Sequence, residues 1–342
     1  MRKILYGISP IGLGHVTRSI VLRERLIKEG VDVQLFSGGR AAEFIRGQGI
    51  PIEDIVDDPV PTVVNGEMKR SALWYIRSWF ALRRTIKRTE RLFDSYVPDL
   101  VVGDEEFSGM VVAENRATKR VFISDELTLG FGRTWVSRKI EERVDRWYRR
   151  LQDSVDLLII PEFGTDIGNR RYVGPIVRAP TMTSEETRQK YGLPRGIMVL
   201  FSMSGSGIGM YLIRHIMKAL NDSWVDGLFL AVTGNREPKL SWDRLFDLGV
   251  VTDNQNLVAC ADLLISTAGK STIDEAAASG TPIVVVPVKN HAEQERNAAT
   301  LGYSYEDIGK LGILVREKLG KRGIAREFNG EEEASRAILS LL

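Results

Sequence analysis

Ile265-Ser-Thr-Ala-Gly-Lys-Ser-Thr-Ile-Asp-Glu-Ala-Ala-Ala-Ser-Gly-Thr-Pro-Ile-Val-Val-Val-Pro287 reads as the end of an apolar strand, a turn of small residues, a short helix and a second buried strand. The turn from Ser266 through Thr267 to Gly269 can bring backbone N–H groups to an anion. A helix opening near Ser271 adds its positive end at the same place. Glu275 falls one turn into that helix, where a carboxylate can face a sugar hydroxyl. Thr272-x-x-Glu275 also fits a capping box, and the two roles are compatible. Gly269-Lys270-Ser271-Thr272 matches the tail of a P-loop, but that motif needs glycine at the position of Leu264, which excludes an ATPase of that type.

The strand–turn–helix unit recurs along the chain. Apolar runs at Lys3–Ile8, Val31–Phe36, Leu100–Gly103, Val121–Ser124 and Leu157–Ile160 alternate with amphipathic stretches, as do runs at Ile197–Ser202, Leu228–Thr233, Leu263–Ser266 and Ile283–Val288. That alternation predicts an α/β fold of two Rossmann-like parallel-sheet domains. The expected boundaries are 1–160 and 184–342, joined by a linker at 161–183 rich in Gly and Pro, with a final helix that can pack back on the first domain. A length of 342 residues suits two cores, and 43% apolar with 27% charged residues is globular. The net charge of +2 gives no overall pull towards nucleic acid. The single cysteine, Cys260, forms no intrachain disulfide and fits a reducing, cytoplasmic setting. The apolar start is cut by Gly7, Pro10 and Gly12, so it reads as a buried strand rather than a signal peptide.

Each half carries a glycine loop after its first strand: Ser9-Pro-Ile-Gly-Leu-Gly-His-Val-Thr-Arg18 and Ser202-Met-Ser-Gly-Ser-Gly-Ile-Gly209. In the first, Gly12-x-Gly14 runs into His15 and Val16 with no third glycine, which disfavours a dinucleotide site. His15 stands at the loop–helix junction, where a neutral imidazole could take a proton from an attacking hydroxyl; the plainer reading is a helix-start histidine. Asp104-Glu105-Glu106 and Asp125-Glu126 follow strand ends, the edge that faces ligand in open α/β sheets, although helix capping is the plainer explanation of such runs. Neither run has the Asp-x-Asp spacing that holds a metal on a diphosphate, so neither a metal nor another cofactor is expected. His215 and Cys260 read as structural.

The Gly-x-Gly-His opening, Val173-Gly-Pro-Ile-Val-Arg178, and the pattern Gly269…Glu275…Gly280-x-Pro282…Gln294-x-x-Asn297-Ala298 together resemble the GT-B glycosyltransferases, most closely family 28, typified by the peptidoglycan N-acetylglucosaminyltransferase. The resemblance covers nearly the whole chain in layout, with specific motifs mainly in the second half. It implies a nucleotide-sugar donor, usually a UDP-sugar, in a cleft between two domains, with the nucleotide on the second, and an acceptor that can be lipid-linked. Carried over, Glu275 would hold the ribose. Ser204, Gly205 and Ser206 with Gly269 and Lys270 would surround the diphosphate, with Arg178 nearby. Gln294 and Asn297 would meet the donor sugar or its phosphates, and the backbone near Leu257 would face the base. His15 would lie across the cleft. The loop Ser-Met-Ser-Gly-Ser-Gly departs from the family's Gly-Gly-Ser-Gln-Gly, so sugar and acceptor do not transfer. The opening also resembles a UDP-sugar hydrolase of the same fold, the alternative activity.

Residues 68–96 carry eight Lys/Arg against Glu90 and Asp94, a net charge of +6. At 100° per residue, Ala72, Ile76, Trp79, Leu82, Ile86 and Phe93 form a stripe expected to face the core. Leu73 and Phe80 fall among Arg77, Arg84, Lys87, Arg88 and Arg91. That mixed face suits an anionic membrane surface, as at the inner face of a cell membrane, and competes with an ordinary solvated helix.

Overall fold

The computed structural model describes residues 2–57, 62–69, 72–125, 135–203, 209–222, 225–235, 240 and 242–342. The chain divides into two compact units, one of Met1–Thr62, Arg70–Val177 and Phe328–Leu342, the other of Val63–Lys69 and Arg178–Glu327.

The first unit opens with β1 (Lys3–Ile8), α1 (Leu13–Lys28), β2 (Asp32–Ser37), α2 (Gly39–Arg46) and β3 (Glu53–Asp54). A two-stranded sheet of β4 (Thr62–Val64) and β5 (Glu67–Lys69) interrupts it, and Val63–Lys69 belongs to the second unit. The first unit then resumes with α3 (Ala72–Tyr96), β6 (Leu100–Asp104), α4 (Phe107–Asn115), β7 (Lys119–Ile123), α5 (Trp135–Ser154), β8 (Leu157–Ile160) and β9 (Arg170–Tyr172). Its strands form one parallel sheet in the order β3-β2-β1-β6-β7-β8-β9. Side chains alternate between faces along each strand. Ile4, Tyr6 and Ile8 of β1 pack with Val16 and Ile20 of α1, while Leu5 joins Phe36, Val101, Phe122 and Leu151 on the other face. Both faces are therefore covered, which is why these strands read as continuous apolar runs.

The second unit runs α6 (Ser184–Tyr191), β10 (Ile197–Ser202), α7 (Met210–Asp222), β11 (Leu228–Thr233), β12 (Leu245–Asp247), α8 (Asn254–Cys260), β13 (Leu263–Ser266), α9 (Lys270–Ser279), β14 (Ile283–Val285), α10 (Ala292–Thr300) and α11 (Leu311–Lys318). Its parallel sheet has the order β12-β11-β10-β13-β14. Val199 and Phe201 pack with Leu212, Ile216 and Val315, and Met198 and Leu200 pack with Leu257, Val258 and Ala276. The inserted strands sit on the stretch after β14, where Met68 N donates to Lys289 O at 2.9 Å and Lys289 N to Gly66 O at 2.7 Å. The last helix, α12 (Gly330–Leu339), places Ala334 and Ile338 in the core of the first unit beside α1.

Two expectations change. The stretch 161–183 is not wholly a linker, because Arg170–Tyr172 adds the edge strand β9 beside β8. Arg-Arg-Tyr carries no apolar alternation, and backbone pairing alone recruits it. The inward stripe of α3 is also rotated from the one expected. Tyr75, Ala81, Thr85, Thr89 and Phe93 are buried, whereas Ile76 and Trp79 are about half exposed, at 52% and 47%. Several of the inward polar groups have partners: Tyr75 Oη donates to Glu141 Oε1 at 2.5 Å, Thr85 Oγ1 accepts from Asp57 N at 3.0 Å, and the Thr89 and Ser108 hydroxyls meet at 2.8 Å. A count of apolar residues misses a face made this way.

Candidate functional site

Each sheet has one switch point, where the chain crosses to the other side of its starting strand, and ligands in open α/β folds bind outside the strand ends there. In the first unit it lies between β1 and β6, with Ile8 level with Asp104. In the second it lies between β10 and β13, with Ser202 level with Ser266.

At the first switch point the loop after β1 turns through Gly12, whose φ of +78° favours glycine, and α1 begins at Leu13. Gly14 and His15 therefore lie in the first helical turn. His15 Nδ1 donates to Asp104 Oδ1 at 2.9 Å, and its Nε2 lies 3.7 Å from Glu105 Oε2. Arg18, one turn further on the same helix face, grips Asp104 with Nε at 2.8 Å and Nη2 at 2.5 Å, and reaches Asp125 with Nη1 at 2.8 Å. Ser19 Oγ also donates to Asp104, at 2.8 Å. The acidic run thus splits into three roles. Asp104 is an anchor and Glu105 faces His15. Glu106 caps α4, accepting from Ser108 N and Gly109 N at 2.8 Å each.

The electrostatics follow from this packing. Burial favours the neutral form of Asp104, but Arg18 and His15 outweigh it and hold the carboxyl far below its usual range. Burial and the Arg18 charge both oppose protonation of His15. Asp104, bonded at Nδ1, and Glu105 together overcome them and push the imidazole up to about 9. That shift favours the charged ring, whereas the base expected from sequence is the neutral ring. Burial pushes Glu105 up from its ordinary value, against the nearby His15 charge. Arg18, the hub of this centre, escaped the sequence reading; its i,i+3 spacing from His15 was the available signal.

At the second switch point Ser266, Thr267, Ala268 and Gly269 lead into α9, which starts at Lys270. Ala268 adopts φ +65°, a left-handed turn uncommon for a non-glycine residue. Asn297 Nδ2 donates to its carbonyl at 3.1 Å and holds it there. Gln294 Oε1 accepts from Val288 N at 3.0 Å. Both amides, expected beside the donor, thus also hold backbone. The fully buried hydroxyls of Ser266 and Thr267 have no hydrogen-bond partner among the described residues, a condition that calls for a ligand or water. Lys270 Nζ bonds Asp274 at 2.6 Å and Ser271 is half-buried beside it.

Glu275 makes no capping box; α9 is capped at Gly269 and Glu275 lies in its second turn. Its carboxylate accepts from Arg178 Nη2 at 3.3 Å. Arg178 also donates to Thr252 O at 2.6 Å. Burial raises the Glu275 pKa despite Arg178. Leu257 lies wholly buried in α8. Glu126, Ser204, Gly205 and Ser206 lie outside the described residues.

Two switch-point sites on two parallel sheets define the class: the chain has the GT-B fold of glycosyltransferases. Residues 2–146 match glycosyl transferase family 1 and residues 241–310 match the glycosyltransferase family 28 C-terminal domain. An uncharacterised glycosyltransferase of Methanosarcina acetivorans is 25% identical over 93% of this chain and 85% of its own. The UDP-N-acetylglucosamine--N-acetylmuramyl-(pentapeptide) pyrophosphoryl-undecaprenol N-acetylglucosamine transferase of an Exiguobacterium species is 26% identical over 96% of each. Among solved structures, Acinetobacter baumannii MurG aligns with TM-score 0.61 at 16% identity, over 99% of this chain and 100% of that one. The spinosyn rhamnosyltransferase SpnG complexed with thymidine diphosphate aligns with TM-score 0.62 at 17% identity, over 99% and 96%.

Proposed function

We propose that the protein transfers a sugar from a nucleoside-diphosphate sugar, of the UDP type, to a lipid-linked acceptor at an anionic membrane surface. The observation that carries the donor half is Glu275, buried with Arg178 in the second turn of the helix that follows the unsatisfied hydroxyls of Ser266 and Thr267. A carboxylate so placed suits ribose hydroxyls. The left-handed turn at Ala268 and the start of α9 suit the diphosphate, with Lys270 as the cation. In this reading no metal is required. The relative named for an N-acetylglucosamine transfer to an undecaprenol-linked substrate supports a lipid-linked acceptor.

The acceptor half rests on the His15 centre, which gathers Asp104, Glu105, Arg18 and Asp125 where a hydroxyl could lose its proton. The membrane reading rests on α3. Leu73, Ile76, Trp79 and Phe80 are all about half exposed and share a face with Arg77, Arg83, Arg84 and Lys87. No helix among the described residues is long and apolar enough to cross a membrane. A donor screen by thermal shift, followed by nucleotide-release assays with and without lipid-linked acceptors in EDTA, tests the whole reading. Release that depends on acceptor supports transfer. Release of equal rate without acceptor would replace it with the hydrolase activity.

A further inference from the structure

The geometry points to Glu105 as the group that takes the proton of the attacking hydroxyl, with Nε2 of His15 orienting the oxygen. The inference rests on the transfer reaction proposed above and assigns its proton to a particular atom.

The three carboxylates around His15 are not equivalent. Asp104 is fully buried and already accepts from Arg18, Ser19 and His15. Asp125 is 5% exposed and is held by Arg18. Glu105 is 17% exposed, and among the described residues only Ser124 Oγ, at 3.3 Å, donates to it. It is the carboxylate with lone pairs to spare and a way to solvent. Nδ1 of His15 is spent on Asp104, so Nε2 is the atom left for substrate, and Glu105 Oε2 lies 3.7 Å from it. Two groups at that separation can both touch one hydroxyl oxygen about 2.8 Å from each. Nε2–H donates to the oxygen, and the hydroxyl donates to Glu105.

The backbone supports a special role. Glu105 has φ +46°, a left-handed conformation that a non-glycine residue keeps only where its surroundings hold it, and such residues cluster at functional sites. Here the restraint includes Glu105 N donating to Ile123 O at 3.1 Å and the Ser124 hydroxyl, which itself meets Tyr148 Oη at 2.6 Å. The groups facing the pair are Arg18 of α1, Asp104 of β6, Asp125 after β7 and Tyr148 of α5, and Tyr6 of β1 faces Asp104. Burial raises Glu105 above its ordinary value, which brings a carboxylate nearer the strength a general base needs at neutral pH.

The step balances without a co-reactant. The acceptor oxygen bonds to the anomeric carbon as the bond from that carbon to the diphosphate oxygen breaks, its electron pair leaving on the nucleoside diphosphate. The hydroxyl proton passes to the Glu105 carboxylate, which returns it to solvent after product leaves.

The test compares the unaltered protein with Glu105→Gln, Glu105→Asp and His15→Gln. In Glu105→Gln, turnover falls about 100-fold or more with nucleotide affinity retained, and the acid limb of the kcat/KM profile disappears. Glu105→Asp regains part of the rate. His15→Gln removes instead the alkaline limb near pH 9. Independently of turnover, NMR titration of the His15 ring in Glu105→Gln shows its pKa lowered by about one unit or more. An unchanged acid limb with turnover within threefold, or an unchanged His15 titration, overturns the proposal. Donor binding with no transfer to any acceptor refutes the transfer reading, and the NMR arm then still decides whether Glu105 acts on His15.

Discussion

Arg18 and Asp104 form a bidentate ion pair, Nε and Nη2 of one facing Oδ2 and Oδ1 of the other at 2.8 and 2.5 Å, with side-chain exposures of 6% and 0%. It ties α1 to the end of β6 and positions His15 through the same carboxylate. Removing Asp104 leaves the buried Arg18 with Asp125 as its remaining partner and takes the acceptor from His15 Nδ1 and Ser19 Oγ. Asp104→Ala is expected to destabilise the protein by about 3–5 kcal/mol, read from urea denaturation. A loss under about 1 kcal/mol would mean that the pair is solvated in solution.

His15 gives a pH signature. Its folded pKa, about 9, exceeds the ordinary value of 6.5. The stability it contributes is therefore complete below about pH 6.5 and lost as pH rises through 9. Between pH 6 and 10 the melting temperature of the unaltered protein should fall more than that of His15→Gln. Parallel curves would show that the imidazole is not held as a cation.

His15 also bears on chemistry. His15→Ala should lower turnover about 100-fold or more while leaving nucleotide affinity nearly intact. The reverse pattern, weakened nucleotide binding with normal turnover, would make it a binding residue.

Glu275 bears on donor binding. Glu275→Ala should weaken binding of the nucleoside diphosphate by about 1–3 kcal/mol in calorimetry, the cost of losing a hydrogen bond to a charged group. Unchanged affinity in a folded variant would remove Glu275 from the donor site.

The exposed face of α3 makes the membrane prediction. The protein should sediment with anionic but not neutral vesicles, and less at high salt. Leu73→Glu combined with Phe80→Glu should abolish sedimentation without lowering the melting temperature, because both side chains are about half exposed. Arg84 and Arg88 pair with Asp57 at 3.2 and 2.9 Å, so neutralising them tests charge with some cost to this surface pair.

Much of the fold was legible because parallel strands covered on both faces are written as apolar runs. Lys3–Ile8, Leu157–Ile160, Ile197–Ser202, Leu228–Thr233 and Leu263–Ser266 are strands with the bounds read from sequence. Strands without such runs escaped. Arg170–Tyr172 and Leu245–Asp247 are edge strands of three residues, held by backbone pairing that no side-chain pattern records. On α3 the buried face uses hydroxyls with partners elsewhere in the chain, so periodicity chose the wrong side for Ile76 and Trp79.

The sequence by itself determined the α/β alternation, the glycine turn at Gly12, and the candidacy of His15, Asp104 and Glu275, because these depend on local propensity and spacing. Tertiary structure alone decided what those residues do. It divided Asp104, Glu105 and Glu106 among an ion pair, a strained carboxylate and a helix cap. It brought Arg18 to Asp104 and Asp125 across separations of 86 and 107 residues, and Arg178 to Glu275 across 97. Protonation states follow from burial and from charges a few ångströms away, and those distances exist only once the sheet has aligned the strand ends.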